Sequence, residues 1–160
     1  MREHLLKGFY PNDNGTNKIV LNDKEIFGWW VEGDIVTDYC TGQKFIHPYG
    51  DSANESDKVN EEGCLKFFSF EILPETVCEY TGLTDKNGKK IFEGHTCTDG
   101  QNLYEIVFDR YQFAVKVIKT QLSLMQKGDI FPLWQFDNCE RNGFRKLEII
   151  GDIYNTTEGI

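Results

Sequence analysis

Short runs of β-branched, aromatic and other apolar residues alternate with polar residues along most of the chain, and turn-forming residues separate the runs. Runs of this length and composition are typical of β-strands. Three pairs of runs have the spacing of β-hairpins: residues 18–21 with 25–30, 34–40 with 43–46, and 104–108 with 113–118. The pattern therefore predicts antiparallel strands joined by tight turns.

Asn-Gly pairs occur at Asn14-Gly15, Asn87-Gly88 and Asn142-Gly143. Asn-Gly favours the positive φ angles of a type I′ turn, which suits the natural twist of a hairpin. The last two pairs lie between predicted strands, so we expect hairpins there. The first lies in a polar stretch and is interpreted as a loop.

Helical signals are sparse. Residues 120–128 could form about two helical turns that end at Gly128, because glycine commonly terminates a helix. No longer segment keeps an apolar period of 3.6 residues. The fold class is therefore predicted as mainly β with little helix, arranged in small antiparallel barrels or rolls.

A weak internal repeat relates residues 31–38 to residues 92–99, at an offset of 61 residues. Glutamate, glycine, threonine and aspartate recur at the same positions of the two octapeptides. A duplicated β-unit and a coincidence both explain so short a match, and the sequence leaves the two open.

Composition limits the class of protein. The chain has 160 residues, of which 39% are hydrophobic, and this is enough for a packed core. Acidic side chains outnumber basic ones by 26 to 17, a formal charge of −9, which argues against broad nucleic-acid binding. No apolar run reaches the ~18–20 residues of a membrane helix, and the N-terminus lacks a secretory apolar region. We therefore expect a soluble protein without membrane contacts.

The densest acidic run covers residues 51–62 and contains almost no apolar side chain. This composition predicts a solvated loop. An acidic surface that mimics DNA or binds a basic partner is the functional alternative.

Candidate catalytic chemistry is thin. Five cysteines are present, at positions Cys40, Cys64, Cys78, Cys97 and Cys139, and none has the spacing of a zinc knuckle or a redox motif. His95 and Cys97 would share one face of a strand, but a zinc site needs two further ligands, so packing is the favoured interpretation. The histidines are isolated in sequence, and no nucleophile, phosphate-loop or metalloprotease motif occurs. We predict no enzyme activity and no cofactor or metal; an enzyme that uses a cysteine or a carboxylate in a cleft between the two halves is the weaker alternative.

Aromatic residues are abundant, at 14% of the chain. Trp29 and Trp30 are adjacent, so on a strand they must point to opposite faces, and only one of them can enter the same core. Phe67, Phe68 and Phe70 likewise place apolar groups on both faces of one segment, which indicates contact with another unit or subunit.

Residues 79–94, EYTGLTDKNGKKIFEG, resemble the central signature of YopX-like proteins, which are encoded by phages and prophages. Residues 28–33 and 148–154 resemble two further elements of that family, so the resemblance covers residues 1–155. It implies a β-rich protein whose C-terminal part is an SH3-like small barrel, and it implies no established activity. One departure is that Gly94-His95-Thr96-Cys97 stands where the family usually has Gly-Asp-Ile-Val.

Two units are predicted: an N-terminal β-rich unit over residues 1–74, and an SH3-like barrel unit over residues 75–160. The candidate recognition surface combines the signature turn with basic and aromatic residues of predicted turns. Its members are Lys86, Asn87, Lys89, Arg110, Tyr111 and Trp134.

The leading functional hypothesis is a non-enzymatic binding module that acts through protein–protein contacts in the cytoplasm of a bacterial host. The partner would be a host or phage protein, and self-association is a variant of the same hypothesis. The alternative is a nucleic-acid-associated protein that uses a local patch of Lys86, Lys89 and Lys90, with Arg110 or Lys116 nearby.

Overall fold

The computed structural model describes residues 5–48, 69–137 and 145–155. Within these ranges the chain forms eleven β-strands in two antiparallel sheets, one 3-10 helix and no α-helix, so the mainly β prediction is confirmed. None of the helical structure in these ranges is long and apolar enough to cross a membrane. The acidic segment 51–62, Phe67, Phe68 and the hairpin expected at Asn142-Gly143 lie outside the described residues.

Contacts divide the described chain into two compact units between Glu79 and Tyr80. The first unit contains β1 (Leu6–Pro11), β2 (Asn17–Leu21), β3 (Lys24–Thr37), β4 (Lys44–Pro48) and the start of β5 (Phe70–Thr84). The second contains the end of β5, β6 (Lys90–Phe92), β7 (His95–Thr98), β8 (Leu103–Asp109), β9 (Gln112–Lys119), β10 (Ile130–Pro132), the 3-10 helix Leu133–Phe136 and β11 (Glu148–Asp152). The boundary between residues 74 and 75 stays a prediction.

In the first unit, each of β1, β3, β4 and β5 pairs with two of the others, and β2 pairs with the start of β3. Apolar side chains on the inner faces of these strands are almost fully buried: Leu5, Phe9, Ile19, Ile46 and Ile72. The β1–β5 register shifts between Lys7 and Phe9, and the Thr76 hydroxyl accepts the Phe9 N–H at 2.9 Å. The irregularity therefore leaves this buried donor satisfied.

Two of the predicted hairpins lie in this unit, and both are confirmed. Asn22 and Asp23 join β2 to β3 with φ angles of 51° and 62°, the geometry of a type I′ turn. Asparagine and aspartate tolerate this left-handed region better than most residues. Predicted strand 25–30 and residues 34–37 of predicted strand 34–40 are parts of one long strand, β3, whereas residues 38–40 belong to the turn that follows it.

Trp29 and Trp30 point to opposite faces of β3, as predicted. Trp29 stacks on Tyr10 with ring centroids 6.1 Å apart, whereas Trp30 contacts the fully buried Phe9 edge to face at 5.3 Å. The Lys7 ammonium lies 4.5 Å from the Trp30 ring centroid, a cation–π contact. Both indoles are therefore used in packing within the sheet.

The polar loop around Asn14-Gly15 is confirmed as a loop, and it depends on a close backbone approach. Asn12 donates its N–H to the Phe27 carbonyl at 2.8 Å, which brings Gly15 directly over Gly28. A Cβ atom at Gly28 would overlap with the Tyr10 carbonyl oxygen, and one at Gly15 with the Gly28 backbone.

Replacing Gly28 with alanine should lower the free energy of unfolding by about 1–3 kcal/mol, because the clash is with backbone atoms that cannot rotate away. Chemical denaturation monitored by tryptophan fluorescence measures the change. Gly151→Ala is the matched control, since a Cβ there meets only an ordinary contact with the Asn155 carbonyl oxygen. Equal stability of the two variants would contradict the prediction.

The second unit is built on a five-stranded sheet in the order β10-β9-β8-β7-β11. The last strand in sequence therefore pairs with the first of the five, and the 3-10 helix lies between the fourth and the fifth. The core comprises Ile91, Cys97, Tyr104, Ile106, Phe113, Val115, Val117, Leu133, Phe136 and Leu147. The predicted hairpin of residues 104–108 with 113–118 is confirmed as β8–β9.

The helix predicted over residues 120–128 is wrong. The segment is a loop between β9 and β10. The Asp129 N–H closes a local turn on the Gln126 carbonyl at 3.1 Å, and the residues at the end of this turn bond back to β9. Gly128 donates its N–H to the Val117 carbonyl and Val117 donates to the Asp129 carbonyl, both at 2.8 Å. Gly128 does adopt a positive φ of 96°, although it ends a loop and not a helix.

The two copies of the octapeptide repeat differ in backbone structure. Residues 31–37 lie within the uninterrupted strand β3, whereas residues 92–98 contain a turn between β6 and β7 with Gly94 at a φ of 83°. The two octapeptides therefore have different secondary structures, and whether they arose by duplication stays open.

Candidate functional site

The signature turn between β5 and β6 is held by the side chain of Asp85. Its Oδ1 atom accepts the N–H groups of Asn87 and Lys89, both at 2.9 Å, and its Oδ2 atom accepts the N–H of Ile149 at 3.1 Å. Only 4% of Asp85 is exposed. One buried carboxylate thus joins this turn to β11, which lies 64 residues further along the chain.

The turn differs from the type I′ geometry predicted for Asn87-Gly88. Gly88 donates its N–H to the Asp85 carbonyl at 3.0 Å, and of the turn residues only Gly88 has a positive φ, at 80°. This is a type I turn followed by a left-handed glycine, a common longer hairpin connection. The Asp85 carboxylate selects it, because it draws the N–H groups of Asn87 and Lys89 towards one oxygen.

The protonation of Asp85 is set by two opposing effects. Burial raises the pKa of its carboxyl group. The hydrogen bonds from the N–H groups of Ile149, Lys89 and Asn87, together with the charge of Lys89, lower the pKa by a larger amount. The net effect is a lowered pKa, so the carboxylate is ionised at neutral pH.

Lys86, Asn87 and Lys89 are all exposed on this turn. Lys86 is ion-paired with Glu148 at the start of β11, and hydrogen bonding to Lys86 lowers the pKa of Glu148. The Lys86 N–H also donates to the Leu147 carbonyl at 2.9 Å. The turn is therefore rigidly attached to β11, and one of its positive charges is already paired.

Asp85→Ala should lower the free energy of unfolding by about 2–4 kcal/mol, because it removes the acceptor for three backbone N–H groups in a buried position. Asp85→Asn keeps one acceptor oxygen and should lose less. Urea denaturation followed by circular dichroism measures both. Glu148→Gln, which removes only an exposed ion pair, serves as the control; the prediction is wrong if Asp85→Ala unfolds at the same urea concentration as this control.

A second polar network closes the turn between β7 and β8. Asp99 accepts the N–H groups of Gln101 and Asn102 on Oδ1, and the Asn102 amide and the Tyr104 hydroxyl on Oδ2, at 2.7–2.9 Å. Asn102 Oδ1 in turn accepts the hydroxyl of Thr120 at 2.7 Å. The network fixes the start of the β9–β10 loop to the β7–β8 turn.

The pKa of Asp99 is lowered, since hydrogen bonds from Asn102, Gln101 and Tyr104 outweigh the effect of burial. Burial, together with the hydrogen bond to Asp99 and its charge, raises the pKa of Tyr104 above its ordinary value. The tyrosine therefore remains a neutral donor at neutral pH.

Stability should decrease in acid, because Asp85 and Asp99 both have lowered pKa values in the folded state. The unfolded chain takes up these protons near the ordinary aspartate pKa, at a higher pH than the folded chain does. Their contribution is therefore complete above about pH 5 and is lost as the pH falls through the folded-state values. Urea midpoints at about pH 7, 5 and 3 measure the effect. The decrease in the urea midpoint between about pH 7 and pH 3 should be smaller for Asp99→Asn than for the wild type. An equal decrease in this variant would contradict the contribution assigned to Asp99.

The β8–β9 hairpin turns at Arg110 and Tyr111, whose φ angles are 45° and 68°. This is the same left-handed pair of conformations that Asn22 and Asp23 adopt, but with two residues that have no local preference for it. The Tyr111 side chain is 96% exposed. Next to the turn, Phe108 is 52% exposed and contacts the buried Phe113 edge to face at 5.2 Å.

Trp134 lies on the 3-10 helix and is 58% exposed, whereas its neighbours Leu133 and Phe136 are buried in the core. The preceding strand β10 ends at Pro132, which pairs with Ala114 near the start of β9. Trp134 therefore follows the end of β10 that is nearest to the β8–β9 turn in register.

The structure thus places the six predicted surface residues at two locations. Lys86, Asn87 and Lys89 lie on the turn bound to β11, and Arg110, Tyr111 and Trp134 lie at the hairpin end of the five-stranded sheet. That all six form one surface stays a prediction.

Sequence reasoning did not select two exposed apolar residues of this unit, Phe108 and Leu124. Phe108 has the strand position of a core residue, two places after Ile106, so the alternating pattern hides its exposure. Leu124 belongs to the segment that the sequence predicts as a helix. No signal in the sequence separates these residues from the core.

Concave space occurs in both units of the described chain. A cavity of about 10 Å³, enough for one water molecule, lies among Leu83, Ile91, Leu133, Phe136 and Leu147. A wide depression of about 450 Å³ in the first unit lies against residues 11–14 and 25–27. It is lined by Asp13 and by Glu25, which bonds Lys18 at 2.7 Å, and no cysteine or histidine borders it.

Two of the three cysteines in the described chain are buried, and one is exposed. Burial, with a smaller contribution from the charge of Asp85, raises the pKa of Cys97 to about 12, so this thiol is neutral. Cys78 is buried and donates to the Thr76 carbonyl, whereas Cys40 is exposed. No three metal-binding side chains of the described residues cluster. Cys64, Cys139 and His4 lie outside the described residues.

His95 acts as an acceptor in the turn between β6 and β7. Its Nδ1 atom accepts the Phe92 N–H at 3.2 Å, and its ring lies edge to face with Phe92. An aspartate carboxylate at this position would also be an acceptor.

The fold and these contacts define a small all-β protein whose distinctive residues form turns and exposed tips. A protein-family model described as "YopX protein" matches residues 37–160. The chain therefore belongs to the YopX family, as the resemblance of its central signature indicates. A comparison with curated proteins found no match.

Proposed function

We propose that this protein is a non-enzymatic binding module, encoded by a phage or prophage, that acts through protein–protein contacts in the bacterial cytoplasm. The observation that carries the proposal is the exposed group at the hairpin end of the second unit. Tyr111, Trp134 and Arg110 are the residue types that contribute most often to protein interfaces.

The strain of the β8–β9 turn supports the same assignment. A non-glycine residue in the left-handed region costs roughly 1–2 kcal/mol, and such strain is concentrated at functional sites. The chain accepts this cost twice, at Arg110 and Tyr111, and both side chains gain little from the rest of the fold because they are exposed. A selected function for the side chains themselves explains their retention.

The strand order supports an SH3-like barrel for the second unit. The sheet order β10-β9-β8-β7-β11 brings the fifth strand beside the first, and the 3-10 helix occupies the fourth connection. Small barrels offer their connecting turns for recognition while the strands hold the core. The ring of pairings among β1, β3, β4 and β5 supports a second closed unit before it.

Nucleic-acid binding through Lys86, Lys89, Lys90, Arg110 and Lys116 is the weaker alternative. The described residues of the second unit carry nine acidic and nine basic side chains, and those of the first carry nine and four. Lys86 is paired with Glu148, and Lys116 lies opposite Glu105 in the sheet. This local neutralisation leaves few charges for phosphate contacts.

The double variant Arg110→Asn/Tyr111→Gly should be more stable than the wild type, by about 1–2 kcal/mol, since Asn-Gly suits a type I′ turn without strain. Thermal unfolding and urea denaturation measure the gain. A loss of stability would show that the two side chains hold the fold together and would remove the argument from strain.

The same variant should lose binding. Wild type and variant are immobilised and compared for the proteins that each retains from a bacterial lysate, with quantitative mass spectrometry. Proteins that bind the wild type saturably should decrease at least tenfold on the variant and on Trp134→Ser. Asp23→Gly, in the other type I′ turn, is the control and should retain them. If no protein binds the wild type saturably, the proposed function is wrong.

A further inference from the structure

The strand β9 and its two flanking turns form the longest stretch without an acidic residue in an acidic chain. From residue 110 to residue 128 there is no aspartate or glutamate, although the whole sequence has 26 acidic residues. The same stretch contains four basic residues: Arg110, Lys116, Lys119 and Lys127. Lys119 and Lys127 lie at the two ends of the β9–β10 loop, and both are exposed.

Two leucines of this loop face solvent. Leu124 is 96% exposed and Leu122 is 41% exposed, whereas the next residue, Met125, is half-buried. Burying a leucine side chain stabilises a fold by about 1.5–3 kcal/mol. The two exposed leucines forgo this stabilisation, and they lower the solubility of the protein. Serine or glutamine would serve equally well in a loop that only connects β9 to β10.

The loop is held in one conformation by hydrogen bonds. Thr120 accepts the Leu122 N–H at 3.0 Å and itself donates to Asn102, which belongs to the Asp99 network. At the other end, the Asp129 carboxylate accepts the Gln126 N–H at 2.8 Å, and Gly128 bonds to Val117. A loop that is already ordered loses little conformational entropy when it binds.

We propose that the β9–β10 loop is a second contact surface, which receives an acidic segment with aliphatic side chains from a partner protein. This inference rests on the proposed function and specifies the chemistry of the partner. Leu122 and Leu124 contact the aliphatic side chains of the segment, and Lys119 and Lys127 pair with its carboxylates on either side. Asp129, the acidic residue that ends the loop, has its carboxylate directed into the loop by its bond to Gln126.

The leucines distinguish this partner from a nucleic acid. Single strands are recognised by aromatic stacking and by cationic grooves that follow the phosphates, and aliphatic side chains supply neither. The described residues of the second unit also carry as many acidic as basic side chains, so no net positive charge attracts a polyphosphate. A protein segment that combines carboxylates with aliphatic groups matches both features of the loop.

The test uses a library of random peptides of about twelve residues, displayed on phage and selected on the immobilised full chain. Selected peptides are synthesised and their binding is measured by fluorescence anisotropy. The variants are Leu122→Ser/Leu124→Ser and Lys119→Glu/Lys127→Glu. Lys18→Glu/Lys24→Glu, on the first unit, changes the net charge by the same amount and is the control. A labelled oligothymidine of about 20 nucleotides is the nucleic-acid probe.

Peptides rich in aspartate or glutamate and in aliphatic residues should be recovered. Their Kd should rise at least tenfold for both loop variants and should not change for the control. Binding should also weaken as salt is raised from about 50 mM to about 300 mM, because part of it is electrostatic. Circular dichroism and unchanged melting temperatures establish that the variants are folded.

Three results would overturn the inference. The peptides whose binding depends on the loop could be basic or uncharged, or the selected peptides could bind the loop variants as well as the wild type. The third result is oligothymidine binding that is lost in Lys119→Glu/Lys127→Glu while no peptide depends on the loop. Peptides that depend on Tyr111 and Trp134 but not on the loop would overturn this inference and leave the proposed function standing. If the wild type binds neither peptides nor lysate proteins, both this inference and the proposed function are wrong.

Discussion

The second unit depends on one buried carboxylate that organises three backbone donors. Asp85 holds its own turn through the N–H groups of Asn87 and Lys89, and it holds β11 through Ile149. Because β11 is at the edge of the five-stranded sheet, its outer backbone groups would otherwise be open to pairing with another chain. The signature turn occupies the start of this edge with the Asp85 side chain and the Lys86 N–H. The opposite edge strand, β10, has only three residues and ends in Pro132, which cannot donate a hydrogen bond.

The parts of the fold that the sequence predicts correctly are those in which local chemistry and tertiary structure agree. Asn22-Asp23 suits its turn, and alternating apolar runs suit two-faced strands. The wrong predictions concern segments whose partners are distant in sequence. Residues 120–128 have helical character, but the bonds of Gly128 and Asp129 to Val117 continue the strand pairing and outweigh it. Similarly, Asn87-Gly88 alone predicts type I′, whereas the buried Asp85 side chain changes the turn type.

The candidate site was accessible to sequence reasoning only through residue type. Arg110, Tyr111 and Trp134 are the side chains that interfaces favour, and their turn positions suggest exposure. The strain at Arg110 and Tyr111 has no signature in the sequence, because the hairpin is predicted from the strands on either side of it. Phe108 is a second example. It continues the alternating pattern of Tyr104 and Ile106, which predicts burial, but it is exposed because the core ends before it. Burial along a strand is set by where the neighbouring elements stop, which periodicity does not encode.

The two type I′ turns of this chain make a comparison within one molecule. Both join antiparallel strands in register, so either would be satisfied by residues that tolerate positive φ. The first has such residues. In the second, paired residues along β8 and β9, up to Asp109 opposite Gln112, hold the turn closed against the preference of Arg110 and Tyr111. A ladder of this length gives up part of its stability to keep two large side chains outward on a rigid tip. Because rigidity lowers the entropy lost on contact, the strain and the exposure both support the proposed binding function, and neither stabilises the fold.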